Sequence, residues 1–155
     1  PGVQAVPLLT LDEVAVLPAG HPLAAQGVLQ VQDFAGQPFV SLSADDPYRR
    51  QIDARFAEAG VARQLHLQTH SAVAVCAMVQ QGLGLAIVNP LTALAMAGSG
   101  LVVRRLGFSV PFSINALLPL YRPALPEAQP LLQSLEAQAQ EVTAALQRLL
   151  SQPAN

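Results

Sequence analysis

Short apolar runs alternate with segments of helical periodicity along most of this chain, and this alternation restricts the possible folds more than any other feature. It extends from Glu13 to Leu106 and favours an α/β layered fold, because a helical bundle lacks the strands and an all-β sandwich lacks the helices. Segment 85–89 is apolar on both faces, which is typical of a parallel strand in a sheet covered by helices. Strands are predicted at residues 14–17, 39–42, 65–69, 85–89, 101–105 and 112–120.

Helices are predicted where the apolar residues change to a helical spacing. After Pro47, apolar residues from Tyr48 to Ala59 recur at that spacing, and Gly60 supplies the stop. The other predicted helices cover residues 71–81, 91–97 and a long C-terminal segment, with a short helical turn at 31–35. One face of the C-terminal helix is apolar; it consists of Leu131, Leu135, Val142, Leu146 and Leu149.

Composition argues against several classes of protein. Hydrophobic residues make up 52% of the chain, yet no apolar run reaches the roughly 18 residues of a membrane-spanning helix, so we expect no membrane association. The net charge is −2, and the scattered arginines, with no lysine, do not form the cation cluster that a nucleic acid backbone requires. A single cysteine, Cys76, excludes an internal disulfide. The first residues do not have the pattern of a secretion signal.

The polar turn at residues 43–50 is the first candidate site, because it lies between a predicted strand and a predicted helix. In open α/β sheets, ligands gather at the carboxyl ends of strands, where the next helix presents unpaired N–H groups and a partial positive charge. Asp46 is expected to cap this helix, with Pro47 at its first position. One aspartate of the turn therefore has a structural role.

The other polar residues of this turn are candidates for ligand binding. Ser43 and the adjacent N–H groups suit a carboxylate, and Asp45 suits an ammonium or guanidinium group. Tyr48 is included in the same candidate set. Arg49 is either part of this set or one partner of a surface ion pair with Asp53, four residues further along the helix.

A second turn with the same design follows the strand predicted at residues 65–69. Ser71 is a natural N-cap for the next helix. Thr69 and His70 are then expected to point towards the same cleft edge as Ser43. Two helix N-termini side by side form a site for a small anion or zwitterion, so we add Thr69, His70 and Ser71 to the candidate ligand-binding residues.

Catalytic and metal sites are not predicted. Cys76 lies six positions after His70, about 240° around a helix, so these two side chains do not form a nucleophile and base pair. The three histidines show no metal-binding spacing, and no cofactor motif is present. An enzyme with Asp45 or Asp46 as general base is the weakest hypothesis, because only His70 is available as a partner acid.

Five stretches, taken in order and spacing, resemble the effector-binding domain of LysR-type transcriptional regulators. They read VLPAGHPLA (16–24), DFAGQPFVSL (33–42), DPYRRQIDARFAEAGV (46–61), THSAVAVCAMVQQGLGLAIVNP (69–90) and GLVVRRL (100–106). The resemblance extends over residues 14 to about 122. Within the family, the amino-acid sequence at the two polar turns is most similar to that of the branch that responds to amino acids and opines.

This resemblance implies a type II periplasmic-binding-protein-like fold, in which two α/β lobes are joined by two crossover strands. Residues 1–17 would end lobe one and include the first crossover strand, at 14–17. Residues 18–108 would form lobe two, and residues 109–155 would supply the return crossover strand and the C-terminal helix of lobe one. Lobe two would then be complete and lobe one partial.

The resemblance also implies a function and partners. The protein would be a cytoplasmic, non-enzymatic sensor that binds a carboxylate, amino acid or opine-like effector between its lobes and acts as a homodimer or homotetramer. The family's effector contacts fall at the turns that match residues 43–48 and 69–71. DNA would be contacted only by an N-terminal domain that does not match any part of this chain.

An alternative hypothesis from the same fold is a fragment of a periplasmic solute-binding protein. The missing half of lobe one also leads to a prediction about the C-terminal helix, whose apolar face would lack its usual partner surface. We therefore expect an exposed stripe of Leu131, Leu135, Val142 and Leu146 that promotes self-association.

Overall fold

A computed structural model of the chain describes residues 2–123 and 125–153. The helices are α1 (Pro47–Ala59), α2 (Ala72–Gln80), α3 (Pro90–Met96) and α4 (Ala128–Leu150), with short 3-10 turns at Pro22–Ala25 and Val31–Phe34. The strands are β1 (Val3–Asp12), β2 (Val14–Pro18), β3 (Val28–Leu29), β4 (Pro38–Leu42), β5 (Gln64–Thr69), β6 (Ala86–Val88), β7 (Leu101–Leu106) and β8 (Pro111–Pro119). The predicted α/β architecture is confirmed.

The main sheet is assembled from two pieces. Strands β3, β7, β2 and β6 are hydrogen-bonded in that order, and β4 pairs in parallel with β5. The pieces join where Val40 N donates to Leu85 O and Leu85 N donates to Pro38 O, both at 2.9 Å. Gly84 permits this junction, since a Cβ there would lie 2.7 Å from Pro38 O. The complete order is therefore β5, β4, β6, β2, β7, β3.

Strand direction determines which chain segments meet at one edge of this sheet. Strands β4 and β5 are parallel, and the bridge from Phe39 to Leu85 is also parallel. Strand β6 is antiparallel to β2, with Val14 opposite Val88, so the prediction of a parallel strand at residues 85–89 holds towards β4 and was wrong towards β2. The carboxyl ends of β4, β5 and β6 consequently lie beside the start of β2. We call this edge the carboxyl edge.

Both faces of the main sheet are buried under helices. Val14 and Val16 of β2 face a cluster that includes Val75 and Val79 of α2. The alternate residues of β2 face a second cluster; it includes Ala15, Leu17, Phe34, Phe39, Ile52 and Phe56. This two-sided burial explains why β2 reads as a continuous apolar run rather than an alternating pattern.

A second, two-stranded sheet is formed by β1 and β8, which pair antiparallel along their length. The two sheets connect where Glu13 N donates to Val110 O at 2.9 Å, and Ser109 Oγ donates to Asp12 Oδ1 at 2.7 Å. The sequence did not predict β1. It did predict β8, but it assigned residues 14–17 to a crossover strand. The structure places those residues within the main sheet, because their side chains are apolar and buried on both faces.

The apolar face of helix α4 is exposed only in part, whereas the sequence predicts an exposed stripe along the helix. Leu131 and Leu135 are exposed, at 59% and 40%. Leu146 is buried and Val142 half-buried, because this half of α4 packs against α3, β1 and β7. The expected exposed stripe along the whole helix was therefore wrong for its C-terminal half.

Candidate functional site

Polar residues follow each of the three strands that end at the carboxyl edge. Ser43 follows β4, His70 follows β5 and Asn89 follows β6. Asn89 caps helix α3, since its side-chain oxygen accepts a hydrogen bond from Thr92 N at 2.8 Å. Ser43 and His70 are the two whose side chains are not used as helix caps.

The turn between β4 and α1 is fixed by Asp46. Its Oδ1 accepts from Tyr48 N at 2.8 Å and from Arg49 N at 3.1 Å, with Pro47 in the first turn. This confirms the predicted cap and holds the start of α1 against the end of β4. A helix N-terminus carries a partial positive charge, so the turn is positioned to favour an anion beside it.

The two polar turns meet through Ser43 and His70. Ser43 Oγ and His70 Nδ1 lie 2.9 Å apart and share a hydrogen bond whose donor depends on the His70 tautomer. Both residues line a cavity of about 240 Å³ together with Asp45, Asp46 and Pro47. Residues 27 positions apart in the sequence are thus combined into one polar surface, as the two strand ends predicted.

The remaining predicted site residues lie around this cavity rather than in its wall. Thr69 Oγ1 accepts from Ser71 N at 3.4 Å, and Ser71 Oγ accepts from Ala74 N at 3.3 Å as the cap of α2. The Tyr48 ring packs on Phe112 of β8, with ring centroids 5.5 Å apart. Tyr48 therefore links α1 to the second sheet.

Arg49 is buried rather than part of a surface ion pair. Its side chain is 7% exposed, and its Nε donates to both carboxylate oxygens of Asp53, at 2.8 and 2.9 Å. Its Nη1 donates to Ser41 Oγ at 2.9 Å and to Leu42 O at 2.8 Å. The pair with Asp53 was predicted. The burial of Arg49 was not, because it depends on how α1 covers the end of β4; the Asp53 side chain is 41% exposed.

Arg63 completes this ion network from the other side. It also contacts Asp53, and its guanidinium lies 4.5 Å from the centroid of the Phe39 ring and 4.1 Å from that of Phe56. Burial lowers the pKa of Arg63, and the carboxylate of Asp53 partly offsets this effect. The network joins α1, β4 and the segment before β5, so it supports the turn that carries Ser43.

Glu13 is a polar residue at the carboxyl edge that sequence reasoning missed. Only 1% of it is exposed, and among the described residues its Oε2 finds no hydrogen-bond partner. Burial, together with the negative charge of Asp46, raises the pKa of Glu13 to about 8. The sequence feature that could have identified it is a carboxylate residue directly before an apolar strand. Such a residue becomes buried when the strand lies in the centre of the sheet.

The catalytic alternatives find little support in the geometry. Burial raises the pKa of the Cys76 thiol to about 11, so this core residue is a poor nucleophile. The Asp46 carboxylate already accepts two backbone N–H groups. Within residues 2–123 and 125–153, no group of three His, Cys, Asp or Glu is arranged to hold a metal ion. None of the helices described here has the length and apolar character to cross a membrane.

The comparisons with known proteins indicate one and the same family. Residues 1–140 match the LysR substrate binding domain. The chain is 47% identical over 150 residues to the Transcriptional activator protein LysR of Escherichia coli (strain K12), covering 97% of this chain and 48% of that protein. It is 28% identical over 123 residues to the Regulatory protein NocR of Agrobacterium tumefaciens (strain T37), covering 79% of this chain and 41% of the relative.

Solved structures agree on the fold. The regulatory domain of CcmR from Synechocystis PCC6803, in complex with 2-PG, superposes with a TM-score of 0.73 at 18% identity, covering 89% of this chain and 67% of that chain. This chain spans about half the length of the curated relatives that it matches. The family match rejects the alternative hypothesis that this chain is a fragment of a periplasmic solute-binding protein. The chain belongs to the LysR substrate binding domain family and is an effector-binding domain with a type II periplasmic-binding-protein-like fold.

Proposed function

We propose that this domain binds a small carboxylate, amino acid or opine-like effector at the carboxyl edge of its main sheet. Binding would modulate a homodimeric or homotetrameric regulator in the cytoplasm. DNA would be contacted by an N-terminal part of that regulator, outside this chain. The relatives named LysR and NocR are a transcriptional activator and a regulatory protein, which supports this assignment.

The contact between Ser43 and His70 is the observation that carries the proposal. It brings the strand end before α1 and the strand end before α2 to one cavity, so the positive ends of two helices lie near the same place. Aligned peptide dipoles give each helix start a partial positive charge, and a carboxylate is the small anion that such a site favours. The CcmR domain was solved with a small molecule, 2-PG, which supports a ligand of this size.

Each predicted residue then has a role. Ser43 and His70 would hydrogen-bond the effector carboxylate, and Thr69 and Ser71 would orient the second helix start. Asp45 is exposed on the cavity wall, where it would attract an ammonium group. Tyr48 would act indirectly, because its contact with Phe112 couples α1 to β8. An effector that tightened the cavity would thereby shift the second sheet relative to the first.

A thermal-shift screen against amino acids, opines and simple organic acids tests this function. A ligand at 100 times its Kd stabilises the folded state by about 2.7 kcal/mol, which for a domain of this size is roughly 5–10 °C in Tm. Thr69→Ala is expected to weaken binding only modestly, because Thr69 orients the start of α2. Ser43→Ala is expected to weaken it roughly 10-fold, because one hydrogen bond to a charged group is lost. The shift at a fixed ligand concentration would then fall by about half.

The matched control is Ser134→Ala. Ser134 is exposed on α4, and its hydroxyl donates to Pro130 O far from the carboxyl edge. This variant should keep the full ligand-induced shift. If Ser43→Ala and Thr69→Ala kept it as well, the effector would bind elsewhere and the proposed site would be rejected.

A further inference from the structure

Arg49 contacts the ends of both strands that lead into the proposed effector site. Its Nη1 donates to Ser41 Oγ at 2.9 Å and to Leu42 O at 2.8 Å, at the end of β4. The same nitrogen lies 3.4 Å from Gln68 Oε1, near the end of β5. One guanidinium nitrogen thus links the last residues of two neighbouring strands.

The alignment of these two strand ends determines whether the site residues meet. The strands are parallel, with Leu42 opposite Thr69, and the residues that follow are Ser43 and His70, whose side chains meet at 2.9 Å. The ladder between the strands contains a register shift, and such a shift interrupts the backbone hydrogen bonding. A side chain that contacts both strand ends, as that of Arg49 does, therefore contributes to their alignment.

Arg49 also holds both ends of the loop that forms the cavity wall, residues 43–46. Its backbone N donates to the cap residue Asp46 at 3.1 Å, and its side chain donates to Leu42 O at the other end. Inside the loop, Asp46 N donates to Ser43 O at 3.0 Å. Loss of the side-chain contacts would release the end of the loop that carries Ser43.

We propose that Arg49 is a positioning residue for effector binding, which acts by holding Ser43 opposite His70. This role rests on the proposed function, and it adds a residue that does not itself touch the effector. Arg49 is buried and is not among the residues that line the cavity. Its ion pair with Asp53 is separate, because that contact uses Nε, whereas Nη1 contacts the strand ends.

Arg49→Lys separates the two roles, because lysine has a single nitrogen in place of a planar fork of donors. An ammonium at this position keeps the charge pair with Asp53, so the variant should still fold, which urea unfolding checks. It does not reach the end of β4 at the same time. The matched control is Arg55→Lys, the same change in the same helix, at a residue whose Nε donates to Ser109 O at 3.1 Å.

The first measurement needs no ligand and records the ring nitrogen signals of His70 by NMR at pH 8, where an ordinary imidazole is neutral. The hydrogen bond with Ser43 selects one tautomer, and Ser43→Ala gives the signals of the ring without it. We expect Arg49→Lys to move these signals most of the way towards those of Ser43→Ala. Ser41→Ala, which removes one acceptor of Nη1, should move them less, and Arg55→Lys should keep the wild-type signals.

Acetate, the simplest carboxylate with a methyl group, is the probe for the second measurement. Its titration into the full chain is followed through the amide signals of residues 43–46. We expect Arg49→Lys to bind acetate roughly 10-fold more weakly than the wild type, as for the loss of one hydrogen bond to a charged group. Arg55→Lys should bind it as the wild type does.

Two kinds of contrary result are distinguishable. Wild-type signals of His70 in Arg49→Lys would show that Arg49 supports only the fold, which would reject its positioning role and leave the carboxylate site intact. Displaced signals with undiminished acetate binding, or no acetate binding by the wild type, would reject the carboxylate site itself and, with it, the role of Arg49.

Discussion

Replacing Asp53 with alanine is expected to lower the free energy of unfolding by roughly 2–3 kcal/mol, because two buried guanidinium groups lose their counter-charge; the 41% exposure of the Asp53 side chain keeps the loss below that of a fully buried pair. The side chains of Arg49 and Arg63 are 7% and 5% exposed, and both depend on this one carboxylate. Arg49 also holds Leu42 O at the end of β4, so the turn that carries Ser43 should loosen at the same time. Urea unfolding measures the first effect.

Two further variants separate this explanation from a general weakness of α1. Glu58→Ala removes an exposed ion pair with Arg55 on the same helix and should cost less than about 1 kcal/mol. Adding Arg63→Met to Asp53→Ala should recover part of the loss, since the unpaired charge is removed and an apolar side chain takes its place beside the Phe39 and Phe56 rings. Equal losses for Asp53→Ala and Glu58→Ala would show that the network does not stabilise the fold.

Stability should fall with increasing pH because of Glu13, and Glu13→Gln should remove this dependence. The pKa of Glu13 is about 8 in the folded protein, against an ordinary value of 4.5. Between these values the folded state binds more protons than the unfolded state, so the free energy of unfolding decreases as pH rises. From pH 5.5 to 8.5 the wild type should lose about 3 kcal/mol that the variant keeps.

The comparison is made as a difference between the two proteins at each pH. All other titrating groups then cancel to first order, and only the Glu13 contribution remains. Urea unfolding at the two pH values gives the four free energies that are needed. A constant difference between wild type and variant would mean that Glu13 titrates normally, and its burial in the folded protein would then be wrong.

Local signals predicted the turns well. Asp46, Pro47 and Gly60 gave the start and end of α1, and the structure confirms the cap and the left-handed Gly60, with φ of 65°. Ser71 likewise caps α2. These features are encoded within three or four residues, so they do not depend on the rest of the fold. The approach of Ser43 to His70 was also predictable, because it follows from the ends of neighbouring strands.

Features that depend on distant parts of the chain were not predictable in this way. The burial of Arg49 requires α1 to cover β4, and the position of Arg63 requires two phenylalanine rings from different elements. Glu13 becomes buried only because β2 lies between β6 and β7. Strand β1 was missed because Pro7 interrupts its pattern, and the structure accommodates this with a register shift between Pro7 and Leu9.

Tyr48 and Phe112 suggest how occupancy of the site would reach the rest of a regulator. The Tyr48 ring belongs to the first turn of α1, beside the proposed carboxylate site, whereas Phe112 belongs to β8 of the second sheet. The direct connections between the sheets are short: residue 13 between β1 and β2, and residues 107–110 between β7 and β8. A small movement of α1 on ligand binding would therefore act on β8 through this aromatic contact.

The most direct test of the central claim is to map the effector by NMR, using a ¹⁵N-labelled protein and the ligand that gives the largest thermal shift. If the carboxyl edge binds the effector, the largest amide shifts will fall at residues 43–46, 48 and 69–72. Shifts confined to the opposite edge of the same sheet, at residues 60–64 and 81–84, would contradict the account.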